Sequence, residues 1–296
     1  MKVLLTGANG FLGKIIIKTL EKEYQIFGLS RNSGEYRVCL DKQIPNFRHS
    51  FGIVIHAAGK AHSVPKMDFE KKQFHRVNVI GTENLLKGLE KTVLPKQFVF
   101  ISSVAVYGQG LGNDINEEYE LEAEDPYGLS KIEAEVLVVD WCRKNDIICT
   151  ILRLPLLVGQ NPPGNLGAMI KAIDRGYYFN IGGGKARKSV VLAQDVASFI
   201  PRVAIVGGTY NLTDGYNPSF YELNSVIAKS VNKKASFNIP LSVAKLMGYV
   251  GDILGDNAPI NSQKLKKITS DLTFDDTKAR EIAGCKPRRV LEWYSE

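Results

Sequence analysis

Long hydrophobic runs are missing. No stretch of the 296 residues approaches the roughly 20 apolar residues that cross a bilayer, so no membrane span is expected. Cysteine is scarce. Cys39, Cys142, Cys149 and Cys285 form no C-x-x-C spacing, which argues against a disulfide framework or a zinc site and suits a reducing cytosol. The start of the sequence lacks a secretory layout and enters a strand pattern at once, so the expected location is cytoplasmic and no metal is expected. Charge is only mildly unbalanced, with 38 Lys and Arg against 31 Asp and Glu, a net +7. No long basic run accompanies the excess, so nucleic acid is not an expected partner; anionic small ligands account for part of it. Neither an internal repeat nor a low-complexity tract is visible. Hydrophobic content of 44% and charged content of 23% are those of an ordinary globule, long enough for one large domain or two intimate ones.

The opening stretch carries the first positive signal. Met1 to Thr6 has the pattern of a short apolar strand. Gly7-Ala8-Asn9-Gly10-Phe11-Leu12-Gly13 follows, and Lys14 to Glu23 has helical spacing. Gly7 permits a tight turn, Gly10 lets the backbone approach a diphosphate, and Gly13 allows close helix–strand packing. Free N–H groups at the helix start would face the phosphates. Asn9, Phe11 and Leu12 sit in the same turn and are assigned to the cofactor with it. The spacing is G-x-x-G-x-x-G, and its strand–turn–helix context is what gives it weight.

Strand and helix patterns then alternate. Strands are expected at 25–29, 37–40, 53–56, 98–101 and 147–152, and helices at 74–87 and 127–144. Such alternation implies parallel pairing with right-handed crossovers, the doubly wound Rossmann arrangement of an α/β protein. We expect a dinucleotide-binding domain over residues 1–155 and a smaller α/β substrate-binding region over 156–296, interleaved with late Rossmann elements.

The end of the second strand selects between cofactors. An acid there binds the ribose of NAD; an Arg accommodates the 2′-phosphate of NADP. Here Ser30-Arg31 stand at that point and no acid occurs before Glu35, which leans to NADP while leaving NAD open. The alternative is that Arg31 is a solvated loop residue. Leu40 and Asp41 are assigned to the adenine end, with Asp41 as a turn cap the other reading. Ala57, Ala58 and Gly59 are small enough to pass under a flat ligand, and Lys60 follows them as a substrate candidate. His56 points at nothing identifiable and is expected to be packed. Asn78 would either bond a backbone group beside the cofactor or lie on a helix surface.

Hydroxyls leave the fifth strand at Ser102-Ser103, at the carboxyl end of the sheet where ligands bind in such folds. Pro126 opens a helix on which Tyr127 and Lys131, four apart, share a face. A free tyrosine with a pKa of about 10 is a poor base, and bringing it to neutrality takes about 4 kcal/mol of differential stabilisation. The ammonium of Lys131 beside an oxidised nicotinamide could supply that, letting Tyr127 exchange a proton with a sugar hydroxyl as hydride moves. Ser103 would orient the same oxygen.

These residues resemble a known family. Thr6 through Gly13, His56-Ala57-Ala58-Gly59, Asn78-Val79-Ile80-Gly81-Thr82, Ser102-Ser103 through Tyr107-Gly108, and Tyr127 with Lys131 are similar to the extended short-chain dehydrogenases/reductases, specifically the nucleotide-sugar epimerases and reductases. The resemblance implies Ser103, Tyr127 and Lys131 as a catalytic triad and Gly7, Gly10 and Gly13 at the diphosphate of NADP or NAD. It also implies a nucleotide-linked sugar as substrate, with UDP the commonest carrier, and a homodimer through the helices near Leu85–Leu89 and Glu133–Val139. The 4,6-dehydratases of the family carry an Asp-Glu pair after the catalytic hydroxyl residue; Val104-Ala105 stand here, so that reaction is not expected. A 4-epimerase and a 4-keto reductase remain as the two readings, with a non-catalytic NADP-binding regulator as a rival of another class.

The second half is less regular. Asn165-Leu166 opens a helix and resembles a substrate-diphosphate site in the family, with an ordinary cap as the alternative. Gly182-Gly183-Gly184-Lys185-Ala186-Arg187-Lys188 offers Arg187 and Lys188 as a diphosphate clamp. Those glycines are not followed by G-K-[ST] and do not make a Walker motif. Asp195 is expected to cap a helix. Residues 219–231 and 240–253 have helical spacing, the latter strongly amphipathic.

Overall fold

The computed structural model describes residues 1–61, 65, 67–234, 236–254 and 260–295. Seven parallel strands form the central sheet: β1 (Lys2–Thr6), β2 (Gln25–Ser30), β3 (Tyr36–Arg37), β4 (Ile53–His56), β5 (Gln97–Ser103), then β7 (Ile148–Leu154) and β11 (Gly208–Asn211), with β6 (Gly112–Ile115) lying apart. Their order is β11-β7-β5-β4-β1-β2-β3, and every neighbouring pair is parallel. The order reverses beside β1, so the loops after β1 and β4 diverge there and leave a crevice at the carboxyl edge.

The sheet is buried on both faces, which explains its near-continuous apolar strands. Along β1 the side chains alternate: Val3 and Leu5 enter one core, Leu4 the other. The first core is closed by α1 (Phe11–Leu20) and α6 (Ala193–Val206), through Ile16, Val196, Ile200 and Val203. Across the sheet, α3 (Gly81–Leu89) and α4 (Pro126–Lys144) supply Leu85, Leu86, Leu89, Val138 and Trp141. Between α1 and α3 lies α2 (Asp68–His75), joined to α3 by a π turn at Arg76–Ile80.

After β7 the chain builds a smaller layer. It contains β8 (Leu156–Val158), α5 (Gly164–Asp174), β9 (Phe179–Ile181), β10 (Val190–Leu192), α7 (Phe220–Ser230), β12 (Phe237–Ile239), α8 (Leu241–Leu254), α9 (Ser262–Thr269) and β13 (Leu272–Phe274). Its strands pair two by two as β8–β10, β9–β12 and β6–β13. Short helices at Thr277–Ile282 and Val290–Trp293 end the chain. Because α6 and β11 return to the central sheet, residues 193–211 belong to the first layer although they follow part of the second.

Several elements differ from the sequence pattern. The first helix starts at Phe11, directly on the glycine turn. The third strand is only Tyr36–Arg37, because Tyr36 turns inward onto Phe47, Phe51 and His49. The helix expected from 74 begins at Asp68; its first turns are polar and carry little apolar period. Leu85 and Leu89, expected at a dimer surface, are buried in the monomer core, whereas Val136 and Val139 on α4 are exposed.

Gly13 offers a test of the central packing. Alanine is favoured over glycine in a helix by about 1 kcal/mol. Yet a Cβ at Gly13 would lie 2.2 Å from the Gly7 carbonyl oxygen, and a backbone atom cannot rotate away. Overpacking of this kind costs about 1–3 kcal/mol, so Gly13→Ala should lower the urea midpoint despite its better helix propensity.

Candidate active site

The glycine turn is built by close approach. Gly7 has φ +70°, and a Cβ there would fall 2.7 Å from the Ala57 carbonyl. Its carbonyl accepts from Gly10 N at 2.9 Å, which closes the turn. Gly10 caps α1 with no side-chain hydrogen bond, so the first-turn N–H groups lack a side-chain acceptor. A cradle without Cβ atoms, over a helix start with amides to give, fits a dinucleotide diphosphate.

A groove of two connected lobes runs along this edge, about 540 Å³ and about 660 Å³. Gly7, Gly10, Ala57, Gly59 and Lys60 line both. The smaller lobe adds Asn9, Ala58, Ser30, Arg31, Leu40 and Asp41. The larger adds Phe11, Leu12, Gly13, Ser103, Tyr127, Lys131 and Asn165. An elongated two-headed ligand with its diphosphate at the junction matches this shape.

At the smaller lobe, Asn9 Nδ2 donates to Ser30 Oγ (2.8 Å) and Ser33 Oγ (2.6 Å), while the Ser30 hydroxyl donates to the Ser33 carbonyl. Arg31 is exposed and makes no hydrogen bond or ion pair among the described residues. Asp41 is engaged: it accepts the Cys39 thiol (2.9 Å) and pairs with Arg76 (3.0 Å). The carboxylate pushes the Cys39 thiol pKa up. Asn84 Nδ2 donates to the Leu40 carbonyl at 2.7 Å.

His56, which pointed at nothing identifiable in the sequence, anchors the floor of the groove. The Thr82 hydroxyl donates to the Asn78 carbonyl (2.6 Å), so it must accept from His56 Nε2 (2.8 Å). That assigns the proton to Nε2 and leaves Nδ1 to accept from Thr6 Oγ1 (2.6 Å). Thr6 Oγ1 in turn accepts Ala58 N (3.1 Å), fixing the loop beneath the cofactor position. Burial, with the Lys131 charge adding to it, lowers the His56 pKa to about 3.

Asn78 joins two parts of the site. Its Oδ1 accepts Lys60 N (2.6 Å), and its Nδ2 donates to the Lys60 carbonyl (3.1 Å) and to Ser130 Oγ (2.9 Å). Ser130 donates onward to the Tyr127 carbonyl at 2.8 Å. The Asn78 side chain is therefore spent on protein and does not line the groove as a cofactor contact. Lys60 Nζ is held by Gln73 Oε1 at 2.8 Å, over the Phe74 ring.

Ser103, Tyr127 and Lys131 meet in the larger lobe. Ser103 ends β5, and its Oγ accepts Ala105 N at 3.2 Å. Asp125 caps α4 by accepting Tyr127 N (3.0 Å) and Gly128 N (3.1 Å), and Pro126 fills the first turn. Lys131 is buried; its Nζ donates to the Ile101 carbonyl (2.8 Å) and lies 4.6 Å from the centre of the Phe100 ring. Burial brings the Lys131 pKa down to about 8, against the pull of Glu135. The Tyr127 pKa is raised by the protein's own groups. Burial pushes it up, and the hydrogen bond with Ser103 only partly offsets this.

Beneath these residues lies a charged cluster that sequence reasoning missed. Arg153 Nη2 pairs with Glu135 Oε2 at 2.8 Å, both buried, and Ser102 donates to the same carboxylate. Arg153 Nη1 donates to Tyr107 Oη (3.1 Å), which donates to Asn211 Oδ1 (2.8 Å). The available signal was Arg153 inside an otherwise apolar strand and Glu135 one turn beyond Lys131.

The proposed diphosphate clamp does not form. Arg187 donates to the Asn217 carbonyl (3.0 Å), lies over Tyr216 and faces Glu222 at 3.8 Å. Lys188 donates to the Lys267 and Ser270 carbonyls, each 3.0 Å, at the end of α9. Leu166 is buried in the second-layer core, on the inward face of α5. Neither those three nor Asp195 reach the groove. Asp195 lies within the first turn of α6 and holds Arg288 through N (2.7 Å) and Nε (2.9 Å). Leu272 and Phe274 line the larger lobe instead.

Two outcomes follow from these contacts. The folded chain keeps His56 neutral down to about pH 3, whereas the unfolded chain takes a proton near 6.5. Between those values the unfolded state binds more protons, so stability falls with falling pH, by about 1.4 kcal/mol per pH unit from this group. His56→Gln keeps a donor and an acceptor and should flatten the slope of urea stability between pH 6 and 5. Arg153→Met leaves Glu135 buried and unpaired, at a cost of about 3–5 kcal/mol by chemical denaturation; adding Glu135→Gln should recover part of it.

Known proteins resemble the chain along its whole length. N-acetyl-alpha-D-glucosaminyl-diphospho-ditrans,octacis-undecaprenol 4-epimerase of Escherichia coli O157:H7 is 29% identical over 308 residues, covering 96% of this chain and 90% of that protein. UDP-glucose 4-epimerase of Vibrio cholerae is 26% identical, covering 98% of this chain and 92% of that protein. UDP-glucuronic acid 4-epimerase from Bacillus cereus, solved with UDP-glucuronic acid and NAD, shares the fold at a TM-score of 0.74 with 19% identity, over 98% of this chain and 95% of that one. Residues 3–212 match the family profile itself. The chain belongs to the NAD dependent epimerase/dehydratase family.

Proposed function

We propose that the chain is a 4-epimerase of a sugar carried on a diphosphate, with a UDP-sugar as the substrate class. The observation that carries this reading is the convergence of Ser103, Tyr127 and Lys131 in the groove lobe that adjoins the glycine turn. The relatives from Escherichia coli O157:H7 and Vibrio cholerae described above each bear the name of a 4-epimerase.

A bound NAD or NADP supplies the acceptor and donor of the C4 hydride. The chain's own residues do the rest. Gly7, Gly10 and the first turn of α1 would hold the cofactor's diphosphate, and Ser30 and Arg31 would lie toward its adenosine ribose. The Tyr127 hydroxyl carries the proton at the C4 oxygen, and Ser103 orients that oxygen. Lys131, fixed to Ile101, keeps a positive charge at the back of the site. Val104 and Ala105 offer no acid or base, so elimination of water is not supported.

A second reading has its own support. Ser30 and Arg31 stand where NAD enzymes place an acid, and burial keeps the Tyr127 phenol protonated. Both favour an NADPH-dependent reductase of a nucleotide-linked 4-keto sugar.

Purified protein with a UDP-hexose and no added cofactor should yield the 4-epimer, followed by NMR of the sugar. Turnover of a 4-keto sugar alone, with stoichiometric loss of NADPH, overturns the epimerase reading. Tyr127→Phe should lower turnover by about 10²–10⁴-fold while dinucleotide affinity stays within a few-fold. Unchanged turnover would sink the enzymatic assignment and leave a cofactor-binding regulator.

A further inference from the structure

Helix α8 is inside out. Its buried positions are the small ones, Ala244, Gly248 and Gly251, which fall on one face. A Cβ at Gly248 would meet Ser262 and one at Gly251 the Ile260 carbonyl, so this face lies tight against the start of α9. The large apolar side chains point the other way. Leu246 and Tyr249 are each 65% exposed, Val250 51% and Ile253 86%. At about 100° per residue, Tyr249, Ile253, Leu246, Val250, Val243 and Met247 fall on one arc opposite the small face, with Ser242 between Tyr249 and Ile253. Lys245 and Asp252 share a single flank of the helix. A helix apolar nearly all round belongs in a core, yet this one packs only by its small face. The ribbon that precedes α8 in sequence is also apolar and exposed: Phe179 and Phe237 are register partners on β9 and β12, and Phe237 is 79% exposed.

Charge indicates what covers it. Between Lys229 and Lys267 the sequence holds seven lysines, no arginine or glutamate, and two aspartates. That segment accounts for most of the net charge of +7. Lys229, Lys233, Lys234, Lys245, Lys266 and Lys267 are all exposed. Asp252 is occupied by Ser262, whose N and Oγ both donate to it. An apolar arc with aromatic residues, set in a lysine-rich segment, complements a surface that is apolar beneath a layer of negative charge.

We propose that α8, with the Phe179–Phe237 ribbon, docks in the plane of an anionic phospholipid surface. The apolar arc enters the acyl boundary, Lys245 on its flank reaches the level of the phosphates, and the remaining lysines add longer-range attraction to the anionic surface. No helix among the described residues is long and apolar enough to cross a membrane, so the attachment is peripheral. Helix α9, which backs α8, leads directly into Leu272 and Phe274 at the groove, so one short helix links the docking surface to the substrate lobe.

Flotation of the full chain with vesicles tests this. It should bind vesicles of equal parts phosphatidylglycerol and phosphatidylcholine, bind pure phosphatidylcholine weakly, and be released by high salt. Leu246→Glu with Val250→Glu should lower binding by about tenfold or more, since two large apolar side chains leave the acyl boundary. Lys233→Glu with Lys234→Glu should weaken binding to the anionic vesicles alone. All four positions are exposed, so the melting temperature should hold in both variants. Failure to bind anionic vesicles, or undiminished binding by Leu246→Glu/Val250→Glu, overturns the proposal. So does a dimer in size exclusion that this variant dissociates, which would assign the face to a second copy. Sugar epimerisation in solution is read separately: its absence counts against the function proposed above, and vesicle binding stands or falls without it.

Discussion

The contact between the glycine turn and the loop after β4 governs the rest of the structure. Gly7 sits so close to Ala57 and Ala58 that no side chain fits between them. This closeness lets the same few residues line both lobes of the groove. It is held from below as well as by contact. Thr6, on the strand that feeds the turn, holds Ala58 N and His56 at once. His56 passes the constraint to Thr82, and Thr82 to the Asn78 carbonyl. Each hydroxyl and each ring nitrogen in this chain is used, so it has a single internally consistent proton arrangement. A charged His56 would have two donors and would break it, which is the structural counterpart of its strongly lowered pKa.

What could be read from the sequence was local. The glycine spacing, Asp125-Pro126 at a helix start, and Tyr127 four residues before Lys131 each lie within one or two turns of chain. Strands buried on both faces announced a parallel sheet through their apolar runs. Pairings that span the sheet left no such trace. Thr6 and His56 are 50 residues apart, and Tyr107 and Asn211 are 104 apart. Asn78 illustrates the boundary: a polar residue among apolar neighbours was visible, but its partners on Lys60 and Ser130 were not. The misreadings in the second half have a related cause. Lys188 and Arg187 have the composition of a phosphate clamp, and only the fold reveals the carbonyls that engage them.

Buried charge is concentrated under the larger lobe. Lys131, Glu135 and Arg153 lie together, and each needs the others. Arg153 and Glu135 share two hydrogen bonds, and Ser102 adds a third to the carboxylate. Glu135 in turn resists the loss of the Lys131 proton. A buried pair of this kind gives little net stability compared with an apolar replacement, because desolvation offsets most of the attraction. Its value here is positional. Arg153 also grips Tyr107 and the Glu117 carbonyl, tying β7 to the turn that follows Ser103.

The state of Tyr127 bears on which direction of chemistry the chain favours. Burial raises its pKa above the ordinary value of 10.0, and the hydrogen bond with Ser103 offsets this only in part. A phenol in this state is a ready proton donor to a forming alkoxide. To accept a proton near neutrality it would need more than the roughly 4 kcal/mol that separates a free tyrosine from pH 7. Rotation of Lys131 away from Ile101 would leave that carbonyl without its ammonium donor, so the gain at Tyr127 is partly offset by the loss there. A second positive charge beside the ring would avoid that exchange. In this arrangement the phenol is a proton donor, and a neighbouring cation would be needed to make Tyr127 an acceptor. The 4-epimerase proposed above would use Tyr127 in both roles in every turnover, so its balance between donor and acceptor depends on the charge beside the ring.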